Sequence, residues 1–344
     1  MLTEKLESKI NNALLQLHSP GLLKGDMGVC IYYFVMGRIK GDPSLTKKAE
    51  RVLNMILAQI SNYKKLCVED GIIGIALGIT FLYRQKFIVG NVNEILADID
   101  SYVYKSVGVV LEKDAHHEHL SPVLDSLMYF VVRYEDETDK KRKKFFREIL
   151  VYLFNFIYIH RPDDFYQETF PFSLKKEAYL FIVVLVKLYK LGIERDRISK
   201  IFKEMQPFLF SNIPMLLANR FFLVTVVRLV GMCLKDSDWL DFANQQMQQI
   251  DLVHILQEEF ADKSILPLSG VIGVWLLKEA NCQMGFHENL ELEKYDIKTR
   301  ILGSSLWNRI EIDGEFFSNC YSLDGYCGIK LFLEYIGYGG FRKA

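Results

Sequence analysis

The sequence predicts an all-α fold, an α/α toroid (barrel) of about seven helical-hairpin repeats with inner and outer helix rings. Three observations carry that expectation. A G-x-x-G phrase entering an apolar helical run occurs four times, and the intervals between occurrences fit steps of about 50 residues. The stretches between these runs are amphipathic with helical period and carry more charge. Strands are hard to place, because the 8 prolines and most of the glycines fall between helical patterns.

Taken in order, Gly25-Asp26-Met27-Gly28 opens the run VCIYYFVMGRI, and PSLTKKAERVLNMILAQISNYKK at 43–65 follows as its more charged partner. Gly71-Ile72-Ile73-Gly74 opens IALGITFLY, with VNEILADIDSYVYKSVGVVLEK at 92–113 behind it. Gly28 and Gly74 are 46 residues apart, Gly273 and Gly328 are 55 apart, and the 199 residues between Gly74 and Gly273 leave room for hidden units without the glycines. LSPVLDSLMYFVVRYE (120–135), FSLKKEAYLFIVVLVKLYKLGI (172–193) and MLLANRFFLVTVVRLVGM (215–232) fill that role, alternating with KKFFREILVYLFNFIYIH (143–160) and ERDRISKIFKEMQPFLF (194–210). Gly270-Val271-Ile272-Gly273 and Gly325-Tyr326-Cys327-Gly328 open the last two runs, and 337–344 is left as a short tail. No stretch reads as a linker between domains; LYRQKFIVGNVNEIL (82–96) is only long enough to join helices, so 1–344 reads as a single domain.

Apolar helices alternating with amphipathic ones suggest an inner ring buried on nearly all sides and an outer ring facing solvent. Two glycines three residues apart share one face of a helix's first turn and let neighbouring backbones approach, while Asp70 or Asp324 just before the pair is placed to cap the free N–H groups. The phrase recurs because the same corner is built repeatedly.

Composition narrows the function classes. With 50% hydrophobic and 13% aromatic residues the chain can bury a substantial core, and a net charge of −1 gives no global attraction to nucleic acid or anionic membrane. The N-terminal MLTEKLESKI lacks an apolar signal region, and the apolar runs read as too short for a membrane span. Cys30, Cys67, Cys233, Cys282, Cys320 and Cys327 form no C-x-x-C pair and read as reduced residues of a cytoplasmic protein.

The four glycine phrases and their spacing resemble the lanthionine synthetase C family and its LanC-like relatives, across essentially the whole chain. The resemblance implies a toroid with zinc at its mouth, held by two cysteines and a histidine from the starts of the fifth and sixth inner helices. That zinc lowers the pKa of a peptide cysteine so that its thiolate adds to a dehydrated serine or threonine. Where the family has Cys-His-Gly, this chain has Leu268-Ser269-Gly270, and the fifth start reads Leu217-Ala218-Asn219-Arg220-Phe221. Leucine and alanine cannot bind Zn²⁺, and serine and asparagine are poor ligands for a site needing three donors and an open position. The expectation is therefore a divergent member with no metal and no other cofactor.

Two other groups contain metal-binding side chains. Cys233 and Cys282 with His287 could form a different site, although two buried thiols and a surface histidine are the commoner arrangement. His116, His117 and His119, with Asp114 and Glu118, are dense in sequence, but adjacent histidines point apart, and a solvated loop is the alternative.

Asp26, Asp70, Asp125, Glu177 and Asp324 fall near inner-helix starts, with Lys24 and Arg220 between them. Asp70 and Asp324 are the candidate catalytic pair, since two carboxylates across such a mouth can act as acid and base, as in inverting glycosidases on related toroids. Asp26, Arg220 and Ser269 are the candidate substrate-binding residues. The bland reading of the same acids is helix capping. Lys140, Lys141, Arg142, Lys143, Lys144 and Arg147 could dock an acidic leader peptide or partner, or simply begin a solvated helix. The leading expectation is a peptide-maturation or peptide-binding protein acting with separate peptide-modifying enzymes; the alternatives are a carbohydrate-active enzyme using mouth carboxylates, or a non-catalytic scaffold. Whether it catalyses a reaction at all stays open. Its expected partner is a peptide or a modifying enzyme, not nucleic acid.

Overall fold

A computed structural model describes residues 19–113, 120–260, 264–285 and 297–337, and every regular element among them is helical. The principal helices are α1 (Asp26–Lys40), α2 (Pro43–Ala58), α3 (Ile72–Arg84), α4 (Ala97–Lys113), α5 (Ser121–Asp136), α6 (Lys140–His160) and α7 (Glu177–Lys190). They continue as α8 (Arg195–Ser211), α9 (Leu217–Leu234), α10 (Ser237–Met247), α11 (Val271–Gln283), α12 (Ser305–Ile312) and α13 (Tyr326–Gly337). The runs without an opening glycine pair expected at 120–135, 172–193 and 215–232 contain α5, α7 and α9, so apolar helical period was the sufficient signal there.

By compactness the chain forms two units, Met1–Lys113 with Lys298–Ala344, and Asp114–Ile297. In the first, split unit, α1 packs against α2, α3 and α13. Gly41, at φ 63°, ends α1 with its N–H on the Gly37 carbonyl, and Asp42 then caps α2 by accepting from Ser44 N at 2.8 Å, with Pro43 in the first turn. This abrupt reversal lays α2 against α1, where the Cys30 thiol reaches the Ala49 carbonyl at 3.5 Å.

The glycine corners are built differently from the expectation. Gly25, Gly71 and Gly270 are themselves the N-caps and no side chain caps these helices; instead the preceding loop folds back and offers its carbonyls. Asp26 N donates to Ser19 O at 2.9 Å, Ile72 N to Lys65 O at 3.0 Å, Val271 N to Ser264 O at 3.2 Å and Tyr326 N to Cys320 O at 2.8 Å. A carbonyl can approach that closely only where a Cβ is missing. A side chain at Gly74 would collide with Val68 O and Leu22 N, and one at Gly28 with Leu22 O and Ser322 Oγ. Gly28 and Gly74, the second glycines of their phrases, thus admit the adjoining loop. Leu22 N donates to Val68 O, Leu23 N and Lys24 N to Glu69 O, and Asp324 N to Leu23 O, over 2.8–3.1 Å. Ser322 Oγ donates to Gly25 O at 2.6 Å. The result is a hydrogen-bonded layer of three loops over the starts of α1, α3 and α13.

In the continuous unit, α5, α7, α9 and α11 pack side by side in that order, with α6 laid on α5 and α10 on α9. α9 has 18 residues and a mean hydropathy of 1.7, enough by length and composition to cross a membrane and more than the sequence reading anticipated. Most of it is buried within the unit instead. A polar link to α11 is internal: Asn281 Nδ2 donates to Thr225 Oγ1 at 2.7 Å. The basic run starts α6, whose N-cap Asp139 accepts from Lys141 N and Arg142 N. Arg142 is also paired with the buried Glu137 at 3.3 Å and Arg147 with Glu194 at 3.1 Å, so acids of the same unit hold part of that charge.

Candidate functional site

A cluster of charged and reactive side chains lies on the loop layer of the split unit. Lys24 Nζ pairs with Glu69 at 2.6 Å. The Glu69 hydrogen bond, followed by the fields of Glu69, Asp324 and Asp70, raises the lysine's pKa despite partial burial. Lys24 therefore stands within the influence of both candidate catalytic acids. Asp70 accepts from Lys65 Nζ at 2.8 Å and from Cys67 Sγ at 2.7 Å. Burial works against its ionisation, but the thiol and the ammonium prevail and hold its pKa below the ordinary value. The thiol moves the other way, pushed to about 11 by burial and by the hydrogen bond to Asp70. As arranged, Cys67 is a donor to the carboxylate, not a nucleophile.

Asp26 belongs to the same corner but is withdrawn from any ligand, since the residue has no solvent exposure. Tyr321 donates its hydroxyl to Asp26 Oδ1 at 3.1 Å. Burial carries the carboxyl's pKa to about 7 against the opposing effect of that hydrogen bond. The carboxyl, expected at a binding mouth, is enclosed beneath the loops.

Next to the loops the split unit holds an apolar pocket of about 340 Å³, lined by Leu22, Ile31, Val35, Phe81, Leu323 and Leu331. Its walls come from one face each of α1, α3 and α13, and its end from the loops that also carry Lys24 and Asp324. Phe81 is 38% exposed, so the pocket opens to solvent past an aromatic edge.

Arg220 and Ser269 belong to the continuous unit. Arg220 is committed to structure: Nε and Nη2 donate to Pro214 O at 3.1 and 3.0 Å, and Nη1 to Gln249 Oε1 at 3.1 Å. Ser269 is half-buried in the loop before α11, where the neighbouring Leu268 carbonyl accepts from Leu174 N at 2.8 Å. Glu177 accepts from the Ser121 hydroxyl, tying the starts of α7 and α5. The start of α9 has no cap of its own. Two remote carboxylates supply one: Glu168 accepts from Met215 N at 2.7 Å, Leu216 N at 3.1 Å and Asn219 Nδ2 at 2.9 Å, and Glu259 accepts from Leu217 N and from Ala218 N at 2.9 Å. Nothing in the local sequence of α9 announced them.

The donor set at the starts of α9 and α11 does not fit the zinc that the resemblance implies. Leu217, Ala218 and Leu268 offer no ligand atom beyond their backbone, and the first turn of α9 is already occupied by the carboxylates of Glu168 and Glu259. Among the described residues, no group of three or more His, Cys, Asp or Glu side chains is placed to hold a metal ion. Cys233 lies near the end of α9 with its thiol 4.0 Å from Val186 O, and Cys282 near the end of α11. His287, and the cluster of His116, His117 and His119, lie outside the described residues.

No protein-family model matches this chain, and no curated protein matches it.

Proposed function

We propose that this protein is a LanC-like peptide-binding protein, acting with separate peptide-modifying enzymes and without the family's zinc site, on an α/α toroid. The pocket of the split unit carries the reading: about 340 Å³ of wholly apolar wall ending at loops that bear Lys24, Glu69, Asp70 and Asp324. An apolar peptide side chain fits the wall, and the charged loops suit the peptide's polar backbone. The toroid is supported by the side-by-side packing of α13, α1 and α3 in one unit and of α5, α7, α9 and α11 in the other. Asp70 is less suited to a glycosidase acid, because Lys65 and Cys67 hold it ionised; only the role of base is open to it.

Two fluorescein-labelled decapeptides test the reading by polarisation, one containing Leu and Phe and the other Ser at those positions. Burying one large apolar side chain is worth about 1.5–3 kcal/mol, so the first peptide binds roughly ten-fold or more tightly. Phe81→Glu abolishes that preference and Asp70→Asn leaves it. Equal binding of both peptides by the unaltered protein refutes the proposal.

A further inference from the structure

Asp26 begins α1 without solvent contact and has no part in the pocket. Its Oδ1 accepts from the Tyr321 hydroxyl, across 295 positions of sequence. Its Oδ2 is buried with no hydrogen-bond partner among the described residues. A carboxylate presents about four lone-pair sites, and one donor satisfies only part of that demand. The titratable groups around it are neutral ones. Tyr63, from the segment after α2, and Tyr321 both feel the carboxyl's charge; Cys327 in the first turn of α13 adjoins Tyr321; and Cys30, one turn along α1, is turned to Ala49. The ammonium of Lys24 is engaged with Glu69, and that of Lys65 with Asp70. No cation is among the influences on the Asp26 carboxyl.

Lys24 and Asp324 also attract across the joint, and the hydrogen bonds that join the two segments besides Asp26 are neutral: Ser322 Oγ to Gly25 O and to Leu22 O, and Asp324 N to Leu23 O. They have no proton to lose near neutrality, which leaves the carboxyl as the pH-sensitive member of the joint. We propose that Asp26 is a proton-operated latch between the start of α1 and the segment leading into α13, closed when its carboxyl carries a proton and loosened when it does not. Ionisation requires water to reach Oδ2, and water enters a dry joint only as the two segments part. The latch is independent of what occupies the pocket, although Leu22 and Leu323 lie on the two segments it joins.

Hydrogen exchange of the full chain, corrected for the intrinsic rate at each pH, reads the latch directly. Opening of amides in 20–28 and 320–328 rises up to about ten-fold per pH unit between roughly pH 5 and 7 and levels above, while the buried amides of α9 hold steady. Asp26→Asn removes the dependence. Tyr321→Phe keeps the acid but deletes the donor that favours its ionised form, so the levelling point moves to higher pH; this second variant decides the matter if Asp26→Asn folds poorly. Opening that is flat with pH in the unaltered protein, a slope that persists in Asp26→Asn, or an unmoved levelling point in Tyr321→Phe overturns the proposal.

Discussion

Replacing Asp26 by Asn keeps an oxygen for the Tyr321 hydroxyl and nearly the same volume, but removes the ionisable proton. Burial lifts the carboxyl from an ordinary value of 3.8 to about 7. Between those values the folded chain holds a proton that the unfolded chain has released, so folding loses stability as pH rises through that window. Below it both states are protonated, and above it both are ionised and the loss is complete. The gap between 3.8 and about 7, at about 1.36 kcal/mol per pH unit, sets a ceiling of roughly 4 kcal/mol. Protonated Asp places one unpaired O–H at the Oδ2 position and Asn two N–H donors, so near pH 4 the Asn variant is equal to the unaltered protein or slightly less stable. At pH 8 the Asn variant is the more stable, by about 2–4 kcal/mol. Urea unfolding of both proteins in steps from pH 4 to 8 gives the difference curve, in which the other carboxylates cancel. Parallel curves over that range, or a deficit in Asp26→Asn that grows with pH, would refute the reasoning.

Other outcomes follow from the packing. Gly74→Ala forces a Cβ into the Val68 carbonyl and the Leu22 amide and lowers stability by about 2–3 kcal/mol, whereas Gly108→Ala, with open space at the same position in α4, raises it by about 0.5–1 kcal/mol; thermal melts of the pair separate the two. Glu168→Ala strips three donors at the start of α9 and costs about 2–4 kcal/mol in chemical unfolding, while Glu168→Gln, which keeps one acceptor oxygen, costs less than half as much. Asp42→Ala removes the cap of α2, and the resulting rise in hydrogen exchange is confined to the first turn of that helix.

The helices were legible because a period of 3.6 leaves its mark in every window, and α5, α7 and α9 could be found without a glycine among their first residues. The corners were half legible. Sequence showed that Gly71 and Gly74 mattered together, but an aspartate beside a helix start reads as a cap whether or not it is one. Only the folded loop shows that Lys65 O and Cys67 O have taken the helix N–H groups and that the Asp70 carboxylate is turned to Lys65 and Cys67 instead. Glu168 and Glu259 were invisible because they serve α9 from 41 to 51 positions away, and no local pattern encodes a partner at that range. Asp26 was singled out as polar at a helix start, yet its burial depends on Tyr321 from far along the chain.

The split unit also imposes an order on biosynthesis. Residues 19–113 emerge from the ribosome before their missing neighbours at 298–337, and the whole of 114–297 is made in between. At about 5–20 residues per second that interval is roughly 10–40 s. Through it α1 and α3 present Ile31, Val35 and Phe81 without α13 alongside, while the intervening residues already have all of their own unit at hand. Residues 19–113 thus wait longest for a packing partner of their own unit, and a ribosome stalled shortly before Tyr326 leaves them without the strut on which Asp26 and Gly28 depend.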